Sequence, residues 1–499
     1  MTTILILLII IFLFSLLICR PRDLKQGFSC LKISDLWNWN GQIEGSPYFV
    51  AGLILFFIKH NLDRYVYYCF YHQNTWQVFD YIYPFSHLGQ RVITQTDIRF
   101  FTTIFLIAIP FIYFGVGLTI KRLRALRLPL WLAVFFFIPL INFFFFLILS
   151  VLPSPKTEPQ LVLENKGLVK TILDKVIPDS SLGSAIAAIL SASILAFFGV
   201  LIGVTVFKNY GISLFVAGPF SLGLIAALLH GYHGPKSLGS CISVASLSIF
   251  ILGVILIIFA LEGFICILMA LPIGLAMAAF GAFMGYFIQR RPTSKNDTAT
   301  IIPILIIMLP IFMGAEYAAH PEPTVFVVKS YVDVAAPKNI VWKNVIAFPS
   351  LPEPRDILFR AGIAYPTHAQ IKGAGIGAIR QCHFSTGSFV EPITVWDENR
   401  LLKFDVTSQP PPMKELSPYD IHPPHLDNYL VSKTGQFLLT KLPNGKIRLE
   451  GTTWYYNKMW PEPYWRVWSD YIIHEIHFRV LKHIKTISEA QLLADRKMK

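Results

Sequence analysis

Cysteine is scarce in this chain and charge is thin. Six cysteines, Cys19, Cys30, Cys69, Cys241, Cys266 and Cys382, stand among 499 residues. Only Cys382 falls after residue 320, so that last part has no internal disulfide, as suits a reducing compartment. No C-x-x-C pair occurs, which removes the zinc-knuckle class. No Ser-His-Asp elbow, phosphate loop or dinucleotide fingerprint is present. The Gly-rich "GAGIGAI" at 373–379 leads into a strand-like run rather than opening a helix, so it lacks the context of a phosphate loop. The net charge is +13, yet residues 321–499 hold 22 Lys and Arg against 17 Asp and Glu. No dense basic patch interleaved with aromatics appears, which excludes a dedicated nucleic-acid surface. A mildly basic chain beside anionic lipid accounts for the excess.

Apolar residues are what the chain has in plenty. They make up 54% of it, and the mean hydropathy is +0.54. They concentrate before residue 320 in long uncharged runs, and an α-helix needs about 20 such residues to cross the hydrocarbon core. Candidate spans are 2–19, 47–68, 98–120, 128–152, 182–207, 212–229, 239–260, 262–288 and 299–319, about nine in all. The first, "TTILILLIIIFLFSLLIC", has no basic residues before it and no A-x-A site, so it reads as an uncleaved anchor. Arg20, Arg22 and Lys25 place 20–46 in the cytoplasm by the positive-inside rule, and "KRLRALR" at 121–127 agrees. Counting onward puts the C-terminal domain in the cytoplasm too. The basic "QRRPTSK" at 289–295 dissents. The expected organisation is an anchor at 1–36, a membrane domain at 37–153, a linker at 154–181, a second helical bundle at 182–320 and a globular domain at 321–499. Within the bundle, small residues allow close helix approach. Its notable polar features are Glu262, expected at an interface, and His230 and His233.

Residues 37–153 resemble a small bacterial inner-membrane family of unknown function. Gly41, Ile43 and Tyr48 fit its opening motif, though Gln42 replaces an arginine. Arg122 and Leu123 fit a second motif, with Ala125 where an acid is expected, and Trp131, Ile138, Pro139 and Leu140 fit the aromatic span. The resemblance implies membrane placement, in a bacterial inner membrane, and no chemistry.

Residues 324–348 alternate apolar and polar, as a strand does, until Pro337 ends the run. Ile340, Val341, Trp342 and Val345 then follow at helical spacing. "GAIRQCHFSTG" and "SFVEPITVWDENRLLKFDV" read as three strands with a turn at Asp397–Asn399. Asn444-Gly445 marks a hairpin inside "GQFLLTKLPNGKIRLEGTTWYY". A long helix over about 462–494 closes the chain. This order resembles the START and polyketide-cyclase-like (SRPBCC) superfamily over 324–490. The resemblance implies an α+β helix-grip fold, an antiparallel sheet curled around the long C-terminal helix with a deep apolar cavity between them. Members bind lipids, sterols, polyketides or other hydrophobic molecules, and some are cyclases or dehydratases.

On the last helix Ile473, Ile476, Val480, Ile484 and Ile487 share one face, which the resemblance turns toward the cavity. Trp454, Trp465 and Trp468 belong to an aromatic cluster at its start, either a ligand portal or a core. Arg380 and Glu391 are candidates to orient a ligand's polar end, as a buried pair or as separate exposed charges. Strand alternation puts Arg380 and Cys382 on one face and Gln381 and His383 on the other, without saying which face is inward. His422 and His425 flank two prolines in "HPPH", and His474 and His477 repeat the spacing. The four would be a metal set only if the loop met the helix. The competing expectation, which needs no metal, is a Pro-stiffened rim hydrogen-bonded to backbone, Asp420 or Asp427. A catalytic alternative needs an acid–base group near neutrality, for which His477 and His383 qualify. The sequence therefore predicts a membrane-anchored binding protein for a lipid or other hydrophobic small molecule, without cofactor. A membrane-bound cyclase or dehydratase and a ligand sensor or transporter stand as alternatives. Nothing points to a particular protein partner.

Overall fold

The computed structural model of the chain describes residues 37, 39–72, 76, 78–81, 94–137, 141–154, 168–292, 294–319 and 323–497. The expected span at 2–19 lies outside them. Nine helices precede the sheet among the described residues: α1 (Gly45–Tyr71), α2 (Gln95–Ala125), α3 (Ile141–Val151), α4 (Leu168–Val176), α5 (Ser181–Thr205), α6 (Gly218–His230), α7 (Leu238–Ile258), α8 (Phe264–Ile288) and α9 (Ser294–Ala319). Among the described residues six segments are long and apolar enough to cross a membrane: Gln95–Ala125, Ser181–Thr205, Ser213–His230, Leu238–Ile258, Phe264–Ile288 and Lys295–Ala318. They match six of the expected runs, and the chain is a membrane protein. Two other runs differ. α1 forms over the expected 47–68, but Lys59, Asp63 and Arg64 interrupt its apolar sequence. The run at 128–152 divides into a 3-10 segment at Leu130–Phe137 and the eleven-residue α3. Proline at 139, which has no N–H to continue a helix, stands between them in the sequence.

The described residues form two compact units, one from those within Met1–Ala188, Leu224–Val244 and Ala282–Ile307, the other from those within Ile189–Gly223, Ala245–Gly281 and Met308–Lys499. In the first, Thr94 and Asp97 cap α2 reciprocally, which satisfies two of the N–H groups that a helix start leaves open. Arg122 near the end of α2 is fully buried. Its guanidinium donates to the Leu149 carbonyl at 2.8 Å, the Ile43 carbonyl at 3.1 Å and Ser154 Oγ at 2.8 Å. Five fixed donors let one arginine tie three segments together without a carboxylate.

In the second unit the sheet holds seven strands: β1 (Phe326–Val334), β2 (Pro366–Lys372), β3 (Ile379–Phe384), β4 (Gly387–Asp397), β5 (Leu401–Asp405), β6 (Leu430–Lys441) and β7 (Ile447–Asn457). All neighbours are antiparallel, in the order β1-β7-β6-β5-β4-β3-β2. Two helices, α10 (Lys338–Ile346) and α11 (Ile357–Arg360), lie between β1 and β2, and α12 (Glu462–Lys497) ends the chain. α12 packs on β1 and also on β2, the two edges of the sheet. A sheet whose two edges touch one helix is curled around it, and this is the helix-grip fold. Residue chemistry explains the junctions. Pro337 precedes α10 in an extended conformation, where its fixed φ and missing N–H cost nothing. Asn399 and Gly445 take left-handed φ of +62° and +81° at the β4–β5 and β6–β7 turns. Val334, Val341, Val345, Leu402, Leu449, Leu481 and Ile484 are buried in the core between sheet and helices.

Candidate functional site

Two cavities of about 120 Å³ each lie in the second unit, and they share no lining residue. The first to consider is the helix-grip cavity. Its sheet wall includes Cys382, Phe389, Phe404 and Phe437, and its helix wall is Ile473, Ile476, His477, Val480 and Leu481. Arg380 and Glu391 also line it and face each other across β3 and β4 in register. The inward face of β3 is therefore the Arg380 and Cys382 face.

Arg380 is 1% exposed and Glu391 5%. Their side chains form a direct ion pair, and Arg380 Nε donates to the Ile346 carbonyl at 3.2 Å. The guanidinium also lies 5.5–5.6 Å from the ring centres of Phe348, Phe404 and Phe437, within cation–π range. Burial pushes the Glu391 carboxyl up and the arginine opposes that shift. Burial pushes the Cys382 thiol up to about 12, with the Glu391 charge adding to it. His477 is held at both nitrogens, Nδ1 3.0 Å from Ser330 Oγ and Nε2 2.7 Å from Thr453 Oγ1. Burial first, and His474 second, push its pKa down to about 3, so the ring is neutral at physiological pH.

The remaining candidates are placed elsewhere. His383 points away from the cavity, stacked on His368 at 4.2 Å between ring centres and 2.7 Å from Ser388 Oγ. Burial and His368 lower its pKa. Trp454 projects from the opposite face of β7 to the buried Tyr455, with Lys403 Nζ 5.3 Å from its ring. Trp465 is buried in the wall of the second cavity, and Trp468 lines neither. The portal expectation for these tryptophans thus describes different places.

The four histidines do not form one set. His422 is exposed, its Nε2 3.1 Å from Asp427 Oδ1, and it lines neither cavity. His474 bonds to Ser330. His425 is buried and joins residues that the sequence did not connect to it. Among the described residues one group could hold a metal ion: Glu262, Cys266, Glu415 and His425, whose donor atoms all lie within 4.8 Å of one another. Cys266 Sγ is 2.6 Å from Glu415 Oε1 and 2.9 Å from His425 Nε2. His425 Nε2 is 3.5 Å from Glu415 Oε1, and His425 Nδ1 is 3.5 Å from Glu262 Oε2. Tyr210 donates to Glu262 Oε1 at 2.7 Å and sets its ring edge against His425 at 4.9 Å. Burial alone would lower the His425 pKa, but the Glu262 and Glu415 carboxylates outweigh it and hold it above its ordinary value.

Local structure explains the convergence. Pro423 and Pro424 open a 3-10 turn that presents His425. The Glu415 segment is pinned by Lys414 N to Gly362 O at 2.8 Å and by Phe264 N to Leu416 O at 3.0 Å. Glu262 precedes α8 and Cys266 lies in its first turn. Gly263 lets Glu415 approach, since a Cβ there would fall 1.9 Å from Glu415 Oε2. The second cavity opens beside this group, walled by Leu214, Phe215, Leu252, Leu256, Ile267 and Leu271 with Glu262, Cys266 and His425 at its polar end.

No family model and no curated protein sequence matches the chain. Solved structures match about a third of it. A point mutant of norcoclaurine synthase from Thalictrum flavum, in complex with a transition-state analogue, is 11% identical, with a TM-score of 0.24, covering 34% of this chain and 99% of that one. The Zhui aromatase/cyclase from Streptomyces sp. R1128 is 14% identical, with a TM-score of 0.23 and coverage of 34% and 96%. A protein from Nitrosospira multiformis is 14% identical, with a TM-score of 0.21 and coverage of 33% and 96%.

Proposed function

We propose that this membrane protein binds a hydrophobic small molecule, such as a lipid chain, in the cavity between its curled sheet and α12. The observation that carries this is the state of the cavity's polar groups. Arg380 and Glu391 neutralise each other, and His477 is neutral and bonded at both nitrogens. The rest of the wall is largely apolar. Such a cavity favours a ligand of little charge. Its size is close to the ~150 Å³ apolar cavity that admits benzene, so it takes one ring or a short stretch of chain. The cyclase or dehydratase alternative would need an uncommitted acid–base group there, and His477 and Glu391 are both engaged. We place the domain in the cytoplasm of a bacterium, beside the inner membrane that would supply the ligand.

Native mass spectrometry of the full chain in detergent tests this. The expected result is an apolar adduct that survives in the exposed-surface control Val467→Ala. It should be lost from Ile476→Trp, whose ring system fills the cavity. An adduct kept in a folded Ile476→Trp variant would overturn the assignment to this cavity.

A further inference from the structure

We propose that Cys266, Glu415 and His425 hold a zinc-like divalent cation at the polar end of the second cavity, with Glu262 orienting His425. The site stands apart from the helix-grip cavity and does not depend on what that cavity binds.

Four observations converge. The first is donor chemistry. One thiolate, one imidazole and one carboxylate suit a borderline-soft ion, and the sulfur argues against magnesium or calcium. The second is distance. Zinc bonds of about 2.0–2.3 Å in tetrahedral array separate donor atoms by roughly 3.3–3.8 Å. The Nε2–Oε1 separation of 3.5 Å falls in that range. Cys266 Sγ lies 2.6 and 2.9 Å from its two partners, short of that range, so the thiol hydrogen-bonds them here and would move outward by under about 1 Å to ligate an ion. The third is unmet bonding. Glu415 Oε2 is a buried atom with no hydrogen-bond partner among the described residues, and so are His425 Nδ1 and Glu262 Oε2, which face each other at 3.5 Å; Glu262, Glu415 and His425 are only 7%, 8% and 6% exposed. Buried polar atoms are almost always satisfied, and a buried group of two carboxylates calls for a cation.

The fourth observation separates the roles. His425 turns Nε2 to Cys266 and Glu415, and Nδ1 to Glu262. Metal-bound histidines commonly donate the N–H of their second nitrogen in a hydrogen bond to a carboxylate, which fixes the ring. Glu262 is placed for that task and is itself held by the Tyr210 hydroxyl. A thiolate, a carboxylate and a neutral imidazole balance a doubly charged ion. Three protein ligands are the pattern of zinc sites that keep a coordination position open. Cys266 and His425 line the apolar cavity, so that open position faces a greasy chamber. It would receive water or the polar end of an apolar molecule.

The test uses the full chain in detergent, stripped of metal and titrated with Co²⁺ or Zn²⁺ alone. Wild type should bind about one ion per chain and show a thiolate-to-cobalt absorption band. Cys266→Ser should lose the band, while His422→Gln, at the exposed neighbour, should keep it. Glu262→Gln should keep it with affinity reduced about 10–100-fold, as expected of a group behind a ligand. A readout on wild type guards against variants that fail to fold. Zinc should slow alkylation of Cys266 at least about tenfold and leave that of Cys69 unchanged. Folded wild type with no cobalt–thiolate band and no zinc protection of Cys266 would overturn the site. Glu262→Gln behaving like Cys266→Ser would overturn the three-ligand assignment.

Discussion

Arg380→Met should destabilise the helix-grip domain by about 3–5 kcal/mol, the usual cost of leaving one member of a buried ion pair alone. The structure supplies the reasons for a value in that range. Glu391 would remain 5% exposed with its ion-pair partner gone. Three phenylalanine rings would lose the guanidinium that lies 5.5–5.6 Å from them. For a domain of this size each kcal/mol moves the melting point by about 2–4 °C, so a fall of roughly 6–20 °C is expected. The double variant Arg380→Met/Glu391→Leu should recover most of the loss, because a well-packed apolar pair often equals a buried ion pair. The melt must report this domain rather than the membrane helices. Cys382 serves, being the only cysteine after residue 320, buried beside the pair and with its thiol pKa pushed up to about 12. Pulse alkylation of Cys382 along a temperature ramp of the full chain gives the midpoint. A shift under about 2 °C for Arg380→Met, or a double variant less stable than both singles, would refute the reasoning.

Three further outcomes are expected. His477 has its folded pKa depressed to about 3, against about 6.5 when unfolded. Protons therefore bind the unfolded state preferentially, and stability falls as pH drops below about 6.5. Between pH 6.5 and 5 the loss approaches ~2 kcal/mol, and His477→Gln should flatten that part of the Cys382 alkylation profile. Gly445→Ala should cost about 1–2 kcal/mol, since Gly445 takes φ of +81° at the β6–β7 turn; an unchanged melting point would count against that geometry. Gly263→Ala would drive a methyl group into the Glu415 carboxylate. Cobalt titration should show weakened binding, by tenfold or more, in a protein whose Cys382 midpoint is little changed.

Much of the architecture was legible in one dimension because its signals are local. Uncharged runs marked six of the membrane-crossing helices, since the length needed in lipid is a property of the run itself. The runs at 47–68 and 128–152 differ from the other six for local reasons too. Charges at Lys59, Asp63 and Arg64 dilute the first, and the second carries a proline at 139 in its sequence. The strand alternation, the Asn444-Gly445 turn and the apolar stripe of the last helix outlined the sheet and the helix it grips. Arg380 and Glu391 were visible as candidates, but not as partners, because pairing depends on the β3–β4 register.

The metal-ligand candidates show where that legibility stops. The "HPPH" and "HEIH" pairs share a spacing, and spacing alone joined them. The fold sends His477 to Ser330 and Thr453, leaves His422 on the surface, and turns His425 toward Glu262, Cys266 and Glu415. Those partners lie 10–163 positions away in sequence, on a helix start and on a segment pinned by backbone hydrogen bonds. The sequence by itself determined membrane-spanning runs followed by a series of strands and a long helix, because periodicity and hydropathy act over short distances; that the sheet wraps the helix was only what the resemblance implied. Only the tertiary structure decided which buried polar groups meet. A buried charge must find its counterpart wherever the fold brings one, and no spacing rule records that distance.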